Sequence, residues 1–206
     1  MRFATSTRRL LTAGALTAAL LAGGGPALAA PGQAAPAART AAPVGPYGQL
    51  RLLAALSAQR LATADLVAAA KYGTDSPIDD PAREREVLAA VARQAAEAGA
   101  DPAVTVRIFR DQIEANKAVQ RGLFRRWDAD PSQAPTERPD LGEVRKEINR
   151  VNGELVRGIA VSPGARAVPY CEGVLTVAAV RVRHADRLDA LHSVALGRAL
   201  ASVCAH

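Results

Sequence analysis

Two cations lie on the apolar face of a predicted helix, within the stretch SAQRLATADLVAAAK that spans residues 57–71. Apolar residues repeat there at helical spacing, and at about 100° per residue Arg60 and Lys71 fall on the same face. Charged side chains are rarely buried unless they are paired, so these two predict a cavity that holds an anion. The alternative is that both extend past small alanines into solvent.

Amide side chains interrupt the apolar arc of another predicted helix, which runs from residue 102 to about 126. A buried amide without a hydrogen-bond partner costs ~1–3 kcal/mol, so each of them must be bonded. For Gln112 we expect bonds to the other amides or to a neighbouring helix. Asn116 and Gln120 lie one turn apart, and we expect them to line a polar cavity together with the two cations.

Charged residues near the starts of two further helices are candidates for the same cavity. Asp80 is the expected N-cap of a helix that begins at Pro81. Glu84 lies in the apolar arc of that helix and Arg83 at its edge, although both would also suit an ordinary solvated first turn. Arg145 flanks the apolar stripe of the fourth predicted helix, and by itself it would be an ordinary surface residue.

These residues can bind and polarise an anion, but they are poorly equipped for hydrolysis. The sequence has no evident nucleophile paired with a base, and its three histidines have no metal-binding spacing. It also lacks a phosphate-binding or dinucleotide-binding fingerprint. We therefore expect neither a metal nor a cofactor.

The composition favours an all-α fold, because alanine is abundant and aromatic residues make up only 3% of the chain. Segment Ser162-Pro163-Gly164 is expected to break the chain. Periodicity and capping signals predict one domain of six helices, at about residues 47–72, 81–98, 102–126, 141 onward, 169–182 and 185–203.

The N-terminus has the features of a secretory signal peptide over residues 1–29, with three arginines, a short apolar run and an A-x-A cleavage site. Residues 30–46 are rich in proline and alanine and are predicted to be a disordered spacer. The remaining domain spans 47–206. A secreted or periplasmic protein is therefore expected, with no membrane attachment after the signal is cleaved.

The charge distribution argues against a nucleic-acid partner. The formal charge is +6, and the signal peptide carries three of these positive charges. The charged face of the helix over 102–126 includes Lys117 but also acidic residues such as Glu114, and we expect it to be a solvated face.

The two cysteines, Cys171 and Cys204, are an even count in an exported protein, which favours one disulfide. The alternative is a pair of free buried thiols. If the last two helices fold back on each other, both cysteines lie at the same end. The bond would then close a loop of 33 residues.

The order and spacing of these polar residues resemble those of the all-helical chorismate mutases. The resemblance rests on the motifs QRLATADLVAAAK, PIDDPARE and RDQIEANKAVQ, and it covers the chain from about Leu50 to Cys204. Together with Arg145, the signal peptide and the cysteine pair, they are similar to the exported subclass known from mycobacteria and other bacteria. This resemblance implies the Claisen rearrangement of the substrate chorismate to prephenate, a unimolecular reaction that needs no cofactor.

The resemblance also implies roles for the residues. Arg60 and Arg145 resemble the guanidinium groups that clamp the two substrate carboxylates. Lys71 and Gln120 match the two donors to the ether oxygen, and Asn116 matches a polar residue that helps to hold a carboxylate.

At the second helix, Arg83 is similar to an active-site arginine. Asp80 and Glu84 match positions near the substrate hydroxyl, although Glu84 resembles intracellular members more than exported ones.

The chain departs from the exported pattern at further positions. Those relatives often have Glu in place of Gln120 and Thr in place of Asn116, and the position of Val87 can be polar in them. The resemblance allows either a monomer or a homodimer. A different class of function, a non-catalytic exported binding protein on the same scaffold, is the alternative to an enzyme.

Overall fold

The helix α1, Pro46–Lys71, is the element around which the others assemble. The computed structural model describes residues 45–205. The predicted signal peptide and most of the predicted spacer lie outside these residues, as does His206. The other helices are α2 (Pro81–Glu97), α3 (Pro102–Ala129), α4 (Leu141–Ala160), α5 (Pro163–Ala167), α6 (Cys171–Ala185) and α7 (Ala190–Ala199), with a 3₁₀ turn at Pro131–Gln133. Helices α3, α4 and α6 cover most of α1.

The prediction of an all-α fold is confirmed, with one helix more than the six expected. The additional helix is α5, which occupies the segment that was expected to break the chain. Pro163 stands at its first position, where the missing N–H costs nothing, so this proline starts a helix instead of ending one. The last helix is also shorter than predicted, because Asp189 caps it by accepting a hydrogen bond from the His192 N–H at 2.9 Å.

Aspartate caps fix where the helices that build the cavity begin. Asp80 accepts a hydrogen bond from the backbone N–H of Arg83 at 3.0 Å and starts α2 at Pro81. Asp101 caps α3, and Asp140 caps α4 through the Glu143 N–H at 2.9 Å. Each carboxylate satisfies donors that have no partner within the helix, so the predicted starts of these three helices are confirmed.

Small residues let the other helices approach α1 closely. Ala54, Ala64 and Ala68 are fully buried on it. A methyl group added at Gly158 of α4 would lie 3.1 Å from a Leu53 methyl, a tight contact that would push α1 and α4 slightly apart or displace this leucine. By length and composition α1 could cross a membrane, but 61% of its apolar window is buried among the other helices, as in a core helix of a folded domain.

Polar bonds in the core tie the helices together at defined positions. Gln112 is 1% exposed and donates to Ser57 Oγ at 2.7 Å and to the Ala199 carbonyl at 3.0 Å. Of the two kinds of bond expected for Gln112, those to neighbouring helices are therefore confirmed. His192 of α7 lies between Asp189 and Asp65 of α1, at 2.7 and 3.2 Å.

The predicted disulfide between Cys171 and Cys204 is present. It joins the first residue of α6 to the segment that follows α7, and the two Cα atoms lie 5.8 Å apart. Both cysteines are buried in the core cluster. The bond closes a 33-residue loop and thereby restricts the unfolded chain.

Replacing both cysteines with serine should lower the free energy of unfolding by about 2–4 kcal/mol, because the unfolded chain regains loop entropy. Guanidinium titration of the oxidised protein and the variant measures this difference. The two are the only cysteines of the chain, so adding reductant should lower the midpoint of the wild type and leave that of the variant unchanged. An identical midpoint for the two oxidised samples would contradict the prediction.

Candidate active site

All eight polar residues singled out in the sequence line one cavity between α1, α2, α3 and α4. They are Arg60, Lys71, Asp80, Arg83, Glu84, Asn116, Gln120 and Arg145. The cavity has a volume of about 110 Å³, which is room for several water molecules and more than a packing defect would leave. Apolar side chains complete the wall, namely Val67, Ile78, Val87, Ile113, Leu141 and Ile148.

Arg60 is buried in the middle of α1 and is held by neutral groups. Its Nε donates to Asn152 Oδ1 and its Nη1 to the Gln112 carbonyl, both at 2.9 Å. The guanidinium also lies 5.8 Å from the centre of the Phe109 ring. Within residues 45–205 no carboxylate lies within ion-pair distance of it, and burial lowers the pKa of Arg60 to about 10. The site therefore contains a buried, charged group that lacks an anionic partner.

Lys71 ends α1, and its ammonium group is fixed by the loop that follows. Nζ donates to the Pro77 carbonyl at 2.6 Å. Burial lowers the pKa of Lys71; the negative charge of Asp80 opposes this shift and the positive charge of Arg145 adds to it. Arg145 is exposed at the edge of the cavity, but it is near enough for its charge to act on Lys71.

The two amides of α3 bond to each other. Gln120 is 4% exposed, and its Nε2 donates to Asn116 Oδ1 at 2.7 Å. The Gln120 Oε1 atom is buried and has no hydrogen-bond partner. Interchanging N and O in both amides preserves the bond between them and turns the Gln120 NH₂ toward the unpartnered position. The pair therefore offers one unused polar group, which a bound molecule could satisfy.

At the start of α2 the three predicted residues differ in the contacts that their side chains already make. One carboxylate oxygen of Asp80 accepts the hydrogen bond that caps α2. Arg83 pairs with Glu86 of its own helix at 2.9 Å, across a partly exposed surface. Glu84 is bound by Lys117 of α3, with Nζ to Oε1 at 3.1 Å.

Lys117 lines the cavity too, although we expected a solvated position for it. It is only 9% exposed, so that expectation is wrong. Its ammonium group is surrounded by the carboxylates of Asp79, Glu84 and Glu114. These negative charges offset the cost of burying the ammonium group. The spacing in the sequence indicates this position. Lys117 lies four residues after Ile113 and three before Gln120, so it shares a helix face with two residues that line the cavity.

The charges of the wall suit a small molecule with more than one acidic group. Five cations and two carboxylates line the cavity, and the cations come from four different helices. Apolar side chains alternate with them, as in sites that bind an organic body and anchor its charged ends. Residues 45–205 contain no group of three or more His, Cys, Asp or Glu side chains arranged to hold a metal ion.

Comparisons with known proteins agree with this geometry. Residues 51–121 match the family model described as chorismate mutase type II. The chain is 39% identical over 148 residues to the secreted chorismate mutase of Mycolicibacterium smegmatis, covering 72% of this chain and 82% of that protein. It is 34% identical over 170 residues to the secreted chorismate mutase of Mycobacterium tuberculosis, covering 79% of this chain and 85% of that protein.

A solved structure extends the similarity to three dimensions. The crystal structure of chorismate mutase from Burkholderia thailandensis superimposes with a TM-score of 0.72 at 36% identity, over 76% of this chain and 99% of that one. The similarity thus spans the helices that build the cavity as well as those that carry the disulfide. The chain belongs to the all-helical chorismate mutases of type II, in their exported branch.

Proposed function

We propose that this exported enzyme converts chorismate to prephenate by a Claisen rearrangement inside the cavity between α1 and α4. The observation that carries the proposal is a buried guanidinium without an anionic partner, Arg60, on the same cavity as Lys71, Arg145 and an incompletely bonded amide pair. Chorismate has two carboxylates, an ether bridge and one hydroxyl group. These groups match the cations, the amide and the acceptor that the wall presents.

The reaction needs positioning and charge stabilisation, with no proton transfer. The ether C–O bond breaks while a new C–C bond forms within the same molecule, and negative charge builds on the ether oxygen. The protein has to hold the compact conformer in which the two ends meet, which removes much of the entropic cost. It also has to place fixed donors where the charge develops.

Arg60 and Arg145 are proposed to hold the two carboxylates. A planar guanidinium can donate to both oxygens of a carboxylate, which fixes orientation as well as position. Arg60 is already immobilised by Asn152 and Gln112, so little entropy is lost when it binds. Arg145 lies at the exposed edge and can move to close over the substrate.

Lys71 and Gln120 are proposed to donate to the ether oxygen from opposite walls. The ammonium group of Lys71 has three donors, and only one is used by the Pro77 carbonyl. In the interchanged orientation of the paired amides, Asn116 donates to Gln120 Oε1, and the Gln120 NH₂ is the donor that we propose for the ether oxygen. The amide stays neutral, so it donates equally well at any ordinary pH.

We propose that the site is completed within one chain, and the proposal is supported by the single cavity on which all of its assigned residues lie. Arg145 supplies from α4 the cation that closes the carboxylate-binding side. We further propose the arrangement expected from the sequence, a signal peptide over 1–29 and a spacer over 30–46 ahead of the catalytic domain. A homodimer would then bring together two independent sites.

Purified mature protein should consume chorismate with no added metal or cofactor. Loss of chorismate absorbance and formation of prephenate measure the reaction directly. We expect turnover far above the uncatalysed rate, and a rate per mole of chain that does not fall on dilution. Absence of turnover would refute the proposal, and binding without turnover would favour the non-catalytic binding protein.

Lys71→Ala should lower kcat at least ~100-fold, the usual cost of removing one fixed donor to a developing oxyanion. The helical circular dichroism should be unchanged, because the side chain makes no core contact that the fold requires. Lys146→Ala is the matched control: this lysine of α4 is exposed and pairs only with Glu143, so its removal should leave the rate as it is. An equal loss of folding and activity would show that Lys71 is structural.

Gln120→Glu should make the activity fall as pH rises. The new carboxyl donates to the ether oxygen only when protonated, and above its pKa each pH unit should cost about tenfold in kcat. The wild type should show no loss from this group between pH 5 and 8. Gln59→Glu, on the exposed side of α1, is the control for an added negative charge. Parallel pH profiles of Gln120→Glu and the wild type would contradict the role given to Gln120.

A further inference from the structure

Lys117 has no part in the mechanism proposed above, yet it lines the same cavity and is among the most buried charged groups of residues 45–205. It follows Asn116 directly and precedes Gln120 by less than one turn of α3. Its Nζ lies 3.1 Å from Glu84 Oε1 and 3.2 Å from Asp79 Oδ1, and it contacts Glu114 Oε1 as well. This one ammonium group thus forms ion pairs with three carboxylates from three parts of the chain.

Glu84 depends on this contact more than the other two carboxylates do. Asp79 also binds Arg121, whose Nη2 lies 2.6 and 2.7 Å from the two carboxylate oxygens. Glu114 also lies 3.5 Å from Arg198. For Glu84, Lys117 is the one ion-pair partner within residues 45–205. Without Lys117, the carboxylate of Glu84 would be free to turn away from the cavity.

A carboxylate in a cavity built for a dianion requires an explanation, because it repels both acidic groups of the substrate. Ionised carboxylates only accept hydrogen bonds. The hydroxyl group is the one hydrogen-bond donor of the chorismate dianion, so it is the group that a carboxylate in this wall can recognise. Asp80 and Glu84 each have one oxygen engaged, by the cap of α2 and by Lys117 respectively, and a second one to offer. Glu84 is the one whose carboxylate is held by an ammonium group that itself lines the cavity.

We propose that Lys117 is a positioning residue that aims the Glu84 carboxylate at the hydroxyl group of the substrate and offsets its repulsion of the dianion. This inference rests on the proposed function and on the place of Glu84 near the substrate hydroxyl, which the family resemblance implies; the role of Lys117 is the new element. The ammonium group stays charged in this role: burial works to lower the pKa of Lys117, but hydrogen bonds to Glu114, Glu84 and Asp79 raise it above the ordinary value. The pair formed by Lys117 and Glu84 therefore acts as a fixed, nearly neutral acceptor.

The alternative is that Lys117 only anchors the loop before α2 by binding Asp79. Arg121 provides a matched control for this, because it binds the same Asp79 and forms no hydrogen bond or ion pair with Glu84, although its charge also acts on Glu84. Arg121→Met removes the loop contact and keeps the hydrogen bond from Lys117 to Glu84, whereas Lys117→Met removes both. A comparison of the two variants separates anchoring of the loop from positioning of Glu84.

The test compares kcat/KM for chorismate with kcat/KM for an analogue that lacks the hydroxyl group. Lys117→Met should reduce the ratio of kcat/KM for chorismate to kcat/KM for the analogue about tenfold, because Glu84 no longer meets the hydroxyl in a fixed geometry. The loss for chorismate should lie mainly in KM. Removing one positive charge should weaken the binding of chorismate and of the analogue to the same extent, since both are dianions. This effect therefore cancels in the ratio. Arg121→Met should keep the wild-type ratio, and Lys117→Arg should restore most of it.

Glu84→Met removes the acceptor and should lower the ratio by a similar factor. Adding Lys117→Met to it should lower the ratio little further, since the two residues act as a unit. An unchanged ratio in Lys117→Met, or an equal change in Arg121→Met, would overturn the inference. If Lys117→Met does not fold, an unchanged ratio in Glu84→Met would overturn it instead. An inactive wild type would refute the proposed function itself, which is a separate outcome.

Discussion

The buried guanidinium of Arg60 is the constraint on which the rest of the structure depends. A charge in the middle of α1 can be buried only if several elements bring acceptors to it at once. Asn152 of α4 and the Gln112 carbonyl of α3 do so, and small residues such as Ala64 and Gly158 let both helices come close enough. The acceptors are neutral and take two of the five N–H donors of Arg60, so its charge and its remaining donors are left for a ligand.

Part of this site could be predicted from the sequence, because four of its residues violate a local pattern. Arg60 and Lys71 stand on an apolar stripe, and Asn116 and Gln120 interrupt another. The distinction between Gln112 and the other two amides also follows from physical reasoning, since a fully buried amide needs two partners that only neighbouring helices supply. The helix starts were predictable from aspartate and proline because both act within one turn.

Other features depend on contacts that the local sequence does not encode. Lys117 belongs by composition to a charged face, and its burial follows from the loop that brings Asp79 and from the position of Glu84 on another helix. The role of Asn152 in holding Arg60 links residues 92 positions apart. Helix α5 was missed because a Ser-Pro-Gly segment suits a turn as well as a short helix, and burial of Ala165 decides between them.

The chemistry of the wall fits an enzyme that works outside the cytoplasm, where pH is less tightly controlled. Even when burial has lowered its pKa to about 10, Arg60 stays charged throughout the neutral range. The pKa of Lys71 is lowered as well, but the carboxylates of Asp80, Asp79 and Glu84 limit the shift. With an amide at Gln120 in place of a titrating carboxyl group, none of the proposed donors to the ether oxygen has to be protonated by an acidic medium. In the role proposed for Gln120, an amide removes a pH dependence that a carboxyl group would bring to the site, and the neighbouring Asn116 supplies the partner that a buried amide needs.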